Sequence, residues 1–133
     1  SPLSANTRVQ LRHRKIEAEH GDAHTGLKIL GNKLGAIEHG ATVRFKNVPL
    51  SQVSGVTVRV ASGGPGCRMD LRQGSEQGPI FASFEIEPTG GYDKFIELTT
   101  PIITIKQRAD VVITFSNPGK GGLMDLDWLR FNR

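Results

Sequence analysis

Short apolar stretches recur along this chain, each bounded by glycine, proline or polar turn residues. Residues 42–48 alternate Val43, Phe45 and Asn47 against Thr42, Arg44 and Lys46, the two-residue period of a half-buried strand. Residues 56–61 alternate Val56, Val58 and Val60 against Thr57 and Arg59, and residues 68–72 alternate Met69 and Leu71 against charged neighbours. Residues 110–115 form a near-continuous apolar run and are predicted to be a central strand. Further strands are predicted over 9–11, 16–18, 27–30, 34–37, 79–86, 95–98, 102–105 and 123–131. Gly31-Asn32, the break at 62–66 and Pro88-Thr89-Gly90-Gly91 punctuate them. No segment sustains a helical period. Strands of about five residues at roughly ten-residue spacing predict an all-β sandwich or barrel.

The length of 133 residues fits one domain, predicted over 8–133, with 1–7 a polar lead-in or linker. Such a length buries a core without disulfides, and the single cysteine, Cys67, can form none within the chain. It is expected to be an exposed free thiol with no mechanistic role. No apolar run reaches the length of a membrane span, so no membrane partner is expected. The net charge is +4, and Arg8, Arg12, Arg14 and Lys15 crowd the N-terminus. The first 44 residues carry no aromatic side chain to interleave with them, so a solvated linker is expected rather than a nucleic-acid surface.

No catalytic template is met. Ser54-Gly55 and Ser62-Gly63 lack the Gly-x-Ser-x-Gly elbow. His13, His20, His24 and His39 show no zinc spacing, and His20 and His24 flank Gly21-Asp22 in a predicted loop. Gly119-Lys120-Gly121-Gly122 lacks the spacing of a phosphate loop and is predicted to be a hairpin loop. Two acidic pairs remain: Glu17 with Glu19, and Asp125 with Asp127. A spacing of two on a strand puts both carboxylates on one face. Such a pair is either solvated or neutralised, and calcium, which takes carboxylate and carbonyl oxygens, is one neutralising partner.

The order of these features is distinctive. Ile16-Glu17-Ala18-Glu19 is followed by Leu34-Gly35-Ala36-Ile37 with Gly40, then by Val56-Thr57-Val58-Arg59-Val60-Ala61-Ser62-Gly63-Gly64. Pro88-Thr89-Gly90-Gly91-Tyr92 and Gly122-Leu123-Met124-Asp125-Leu126-Asp127-Trp128-Leu129-Arg130-Phe131 complete the set. From about Lys15 to Arg133 the chain resembles the family 6 carbohydrate-binding modules.

The resemblance implies a jelly-roll β-sandwich of two antiparallel sheets, not itself an enzyme. It also implies a structural calcium where the first and last strands meet. Glu17, Glu19 and Asp127 fall on the family's metal positions, with a carbonyl near Asn32 as an additional ligand. Trp128 is expected in the core. The implied sugar site lies in loops at one end of the sandwich, where aromatic rings stack on apolar sugar faces and polar groups meet the hydroxyls. Tyr92 stands where the family commonly has tryptophan, and Asp125 where it has asparagine. Ala36 replaces a tyrosine, and Thr42 a tryptophan used by some members at a second site on the concave sheet. Glu38 and His39, beside Ala36, are candidate polar contacts.

The implied partners are a polysaccharide or oligosaccharide and a tethered catalytic domain, in a secreted, periplasmic or cell-surface setting, with the domain a monomer. The missing aromatics leave an alternative: a structural or protein-docking sandwich that has lost the sugar site. An open cleft at Tyr92 with Asp125 at its floor favours sugar binding, and a covered Tyr92 favours docking.

Overall fold

The computed structural model describes residues 15–50, 53–102, 108–117 and 122–132. Two antiparallel sheets pack face to face. The first runs in the order β3 (Lys28–Leu30), β4 (Lys33–Gly35), β11 (Asp125–Asn132), β6 (Gly55–Ser62) and β9 (Gly91–Pro101), with β1 (Lys15–Glu17) also on β11. The second runs β2 (Ala23–Thr25), β5 (Thr42–Pro49), β10 (Arg108–Ser116), β7 (Cys67–Gln73) and β8 (Ile80–Ile86). The jelly-roll expectation is met. Among the described residues the one helical element is a 3-10 turn, Ala18–His20, and no helix is long and apolar enough to cross a membrane.

The alternation seen in the sequence becomes the two faces of each sheet. Val56, Val58 and Val60 of β6 and Leu129 and Phe131 of β11 point inward, meeting Phe45, Met69, Leu71, Ile113 and Phe115 from the second sheet. Each such fully buried large side chain contributes about 1.5–3 kcal/mol of transfer free energy. The apolar run in β10 lies between β5 and β7, the central position predicted for it. Its Val112 points outward but is only 3% exposed, because Arg44 and Arg72 flank it across the two ladders.

Local departures have physical causes. The alternation of β5 breaks at Lys46-Asn47: Val111 registers with Phe45, but Ala109 with Val48. Asn47 takes φ +56° and its N–H donates to Asp110 Oδ1 at 3.3 Å, so Val48 rather than Asn47 turns inward. Strand β2 was missed because all three of its residues are exposed and none is apolar enough to set a period. His24 therefore sits on a strand and His20 in the 3-10 turn, not in one loop. Cys67 is buried at the start of β7, not exposed. Burial and the nearby Glu85 push its thiol up to about 12. The strand expected over 9–11, and most of those over 102–105 and of the 119–122 loop, lie outside the described residues.

Trp128 is also corrected. Leu129 and Phe131 of β11 face the core, so the two-residue period sends Trp128 and Arg130 to the outer face. Trp128 is nevertheless only 8% exposed, because Lys15 Nζ lies 4.8 Å from its ring centroid and the Arg130 guanidinium 5.3 Å. Stacked cations shield the indole there in place of apolar packing.

Candidate functional site

β11 carries β6 along one edge and two short strands along the other. β4 meets it at Leu126, and β1 at residues 128–130. Between them Asp127 is an extra residue, since Leu126 registers with Val60 and Trp128 already with Arg59. Across this bulge Asp125 and Asp127 still lie on the same outer side of the sheet, and Trp128 joins them there. Each finds a cation there: Lys33 Nζ lies 2.7 Å from Asp125 Oδ2, and Arg59 Nη1 2.7 Å from Asp127 Oδ2. Both cations rest on the Phe95 ring, at 5.5 and 4.6 Å from its centroid. The second acidic pair is thus neutralised by side chains of the protein itself, a solution invisible in the spacing of the carboxylates.

Tyr92 stands beside this pair, on β9 and not in a loop as expected. Gly91 registers with Ser62 and Ile96 with Val60, so residues 92–95 arch out opposite Ala61. The arch lays the Tyr92 ring directly over Gly63 and Gly64. A Cβ at Gly63 would sit 2.7 Å from the ring, and one at Gly64 2.6 Å from its hydroxyl, so only glycine lets the backbone come this close. The hydroxyl donates to Gly122 O at 2.7 Å, and the Tyr92 carbonyl accepts from Lys33 Nζ at 3.2 Å. The side chain is pinned at both ends and remains 40% exposed.

A cleft of about 410 Å³ opens here, lined by Leu30, Lys33, Ala36, Tyr92, Gly122 and Asp125. Asp125 is only 3% exposed and forms its floor with Lys33. Ala36, at φ +50°, stands where a second aromatic was expected, and Leu30 leans over Gly35 to fill part of that wall. Leu30 is 45% exposed and presents its side chain to the cleft. Its strand reaches the cleft through the tight Gly31-Asn32 turn, with Gly31 at φ +68°.

Sequence reasoning found Tyr92 and Asp125, which share the cleft. It missed Lys33 and Leu30, which carry no motif. Their signal is the hairpin register alone, which pairs Leu30 with Lys33. Glu38 and His39 are not among the lining residues. His39 Nδ1 accepts from the Asn117 N–H at 3.0 Å, and the Glu38 backbone closes a turn with Gly26 and Ala41.

The four metal candidates are dispersed differently from expectation. β1 pairs only as far as Glu17, where the chain turns into the 3-10 turn, so Glu17 and Glu19 do not share a strand face. Glu17 is half-buried with Lys15 3.8 Å away. Glu19 points inward and its Oε1 is buried with no hydrogen-bond partner. Asn32 is at the exposed tip of the β3–β4 turn. Among the described residues no three His, Cys, Asp or Glu gather as a metal site.

A jelly-roll sandwich with a ring-walled, charge-floored cleft on one sheet has the form of a ligand-binding β-sandwich. The sequence pattern of "Carbohydrate binding module (family 6)" matches residues 17–133. The chain belongs to this family of non-catalytic sugar-binding domains. It is 28% identical over 126 residues to endo-1,4-beta-xylanase A of Thermoclostridium stercorarium, covering 89% of this chain but only 23% of that enzyme. A beta-1,3-glucan binding family 6 module from Bacillus halodurans superposes with TM-score 0.86 at 27% identity, covering 92% of this chain and 98% of that one. A Clostridium stercorarium module solved with cellobiose gives TM-score 0.80 at 26% identity, covering 92% and 95%.

Proposed function

We propose that this domain binds a polysaccharide or oligosaccharide in the Tyr92 cleft and serves as the targeting appendage of a larger extracellular glycoside hydrolase. One observation carries the reading: Tyr92 is pinned but uncovered, over a floor made by Asp125. An immobilised aromatic face suits the apolar face of a sugar ring and costs little entropy on binding. Relatives that bind beta-1,3-glucan or cellobiose, and the xylanase that carries a similar segment, support the ligand class and the tethering. The docking alternative needs Tyr92 covered by its own loops, which its exposure does not favour. The functional unit is taken as residues 8–133, with 1–7 as lead-in. The test is affinity electrophoresis through gels cast with xylan, β-1,4-glucan or β-1,3-glucan, and retardation in at least one is expected. Free migration in all of them would favour the docking alternative.

We also propose a structural calcium at the junction of β1, the 3-10 turn and β11. The orphaned Oε1 of Glu19 supports it, since a buried carboxylate oxygen without a partner is costly unless a cation meets it. Glu17, Glu19 and the Asp127 oxygen not held by Arg59 would hold the ion, with a backbone carbonyl near Asn32. Its contribution is to neutralise these carboxylates and fasten β1 to the sheet. Calcium titration followed by calorimetry tests it, and the absence of binding heat after verified metal removal would refute it.

A further inference from the structure

We infer that Lys33 and Asp125 act together as the reader of a vicinal hydroxyl pair, making Lys33 a specificity-determining residue of the cleft. The inference rests on the sugar-binding reading and adds the chemical feature selected. An aspartate alone at the floor can only accept hydrogen bonds. A sugar hydroxyl both donates and accepts, so a lone acceptor reads half of it. Lys33 supplies the missing donor. Its ammonium has three N–H bonds, of which one meets Asp125 Oδ2 at 2.7 Å and one the Tyr92 carbonyl at 3.2 Å. The third is left for a ligand, and both residues line the cleft. The contact to the Phe95 ring and the two hydrogen bonds hold the ammonium in place before any ligand arrives.

The result is a donor nitrogen and an acceptor oxygen 2.7 Å apart on the floor of an aromatic-walled hollow. Gauche vicinal hydroxyl oxygens on a pyranose lie at nearly the same spacing. One hydroxyl accepts from Lys33 Nζ while its neighbour donates to the Asp125 carboxylate, with the ring face toward Tyr92. The ion pair leaves no net charge on the floor, so the ligand class is neutral sugar and not uronic acid. A β-1,4-linked chain of xylose or glucose offers a free O2–O3 pair on every interior residue. Interior residues of a β-1,3-linked chain offer none, because O3 is in the linkage, so only chain ends fit.

The test is calorimetric titration of the parent, Lys33→Met, Asp125→Ala and the double variant with xylo- and laminari-oligosaccharides from three to six residues. Charged hydrogen bonds to a ligand are worth roughly tenfold or more in affinity. We expect losses of that order for xylotetraose in Lys33→Met and again in the double variant. Lys33→Met alone leaves a buried carboxylate unpaired and is expected to destabilise the fold. The double variant removes both charges and keeps the measurement interpretable. For the parent, affinity per chain should rise with length in the xylo-series and stay flat in the laminari-series. A double variant that binds xylotetraose as well as the parent would make the pair purely structural and overturn the inference. So would a laminari-series that gains affinity with length. If the parent binds none of these sugars, the sugar-binding reading itself fails, a different result from a parent that binds and variants that bind equally well.

Discussion

The two outer faces of this sandwich are both built from acid–base pairs, yet among the described residues only the first sets an aromatic ring as the wall of a hollow over such a pair. On the second sheet, Arg44 meets Asp110 at 2.9 Å, and Asp70 gathers Arg68 at 2.9 Å, Arg72 at 3.8 Å and the Ser83 hydroxyl at 2.6 Å. Arg72 spends further N–H groups on Thr114 and the Gly78 carbonyl. The rows Arg44–Val112–Arg72 and Thr42–Thr114–Asp70 follow the ladder registers across β5, β10 and β7. No aromatic side chain stands on these three strands' outward positions, so a sugar ring would find no stacking surface there. On the first sheet the Lys33–Asp125 pair is sunk beneath Tyr92, with one donor unspent. An ion pair remains scaffolding where no aromatic wall encloses it, as at Arg44 and Asp110. It becomes a recognition element when an aromatic wall encloses it and part of its hydrogen-bonding capacity faces the hollow.

The largest expected effect belongs to Tyr92→Ala. It removes the wall while leaving the floor, and the ring lies on the Gly63-Gly64 backbone. An aromatic anchor of this kind is worth about 2 kcal/mol, roughly thirtyfold in Kd. Isothermal titration with the best-retained oligosaccharide should show that loss, and the melting temperature should stay within a few degrees of the parent. Retained affinity would move the site away from this cleft.

A third carboxylate region stands outside the pattern. Asp70, Asp110, Asp125 and Asp127 each have a cation from the protein within 2.9 Å, whereas Glu19 has, among the described residues, His20 at 3.9 Å and one orphaned oxygen. If calcium is the missing cation, excess chelator should lower stability by mass action. The expected loss is about 1 kcal/mol or more, a fall in melting temperature of roughly 4 °C or more for a domain of this size. Glu19→Gln should abolish the calcium response, and a chelator-sensitive Glu19→Gln variant would place the ion elsewhere.

How far these regions were legible in the sequence follows from what sets each one. The sandwich was readable because burial of one face imposes a two-residue period, plain in Val56-Thr57-Val58-Arg59-Val60. Tyr92 and Asp125 were readable through family resemblance. Lys33 was not, because its role depends on the β3–β4 turn bringing it under Asp125, a contact between residues 92 positions apart in sequence. The outward turn of Trp128 was hidden for a related reason. A bulge at Asp127 shifts the register, and an indole reads as core material unless the cations that will cover it are known. Glu17 and Glu19 were misjudged as a strand pair because nothing in the local pattern announces where β1 loses its partner.

Ala36→Tyr adds a second wall to the cleft. Ala36 is exposed and lines the cleft, so a larger side chain has room, although Leu30 must yield part of the space it occupies. The left-handed backbone at φ +50° is already imposed on a non-glycine residue, so the exchange adds little new strain. A second aromatic contact is worth about 0.5–1.5 kcal/mol, and a gain of a few-fold in affinity is expected in the same titration. Weaker binding would mean that Leu30 is itself the ligand's second wall and had been displaced.

The smallest expected effect belongs to Arg44→Ala, which tests whether the second sheet's ion pairs are scaffolding. Arg44 and Asp110 are each about one-third exposed, where solvent screens an ion pair and leaves it worth at most about 1 kcal/mol. Asp110 keeps its hydrogen bond from the Asn47 N–H through its other oxygen, so the bulge in β5 survives the substitution. Val112 loses the cover of one aliphatic stem but stays flanked by Arg72. The melting temperature should therefore fall by no more than a few degrees, and the sugar affinity should match the parent within error. If affinity instead drops by the amount lost in Tyr92→Ala, the arginine-rich sheet face is a binding surface in its own right. Its ion pairs would then be read as the cleft's are, as hydrogen-bonding capacity held ready for a ligand.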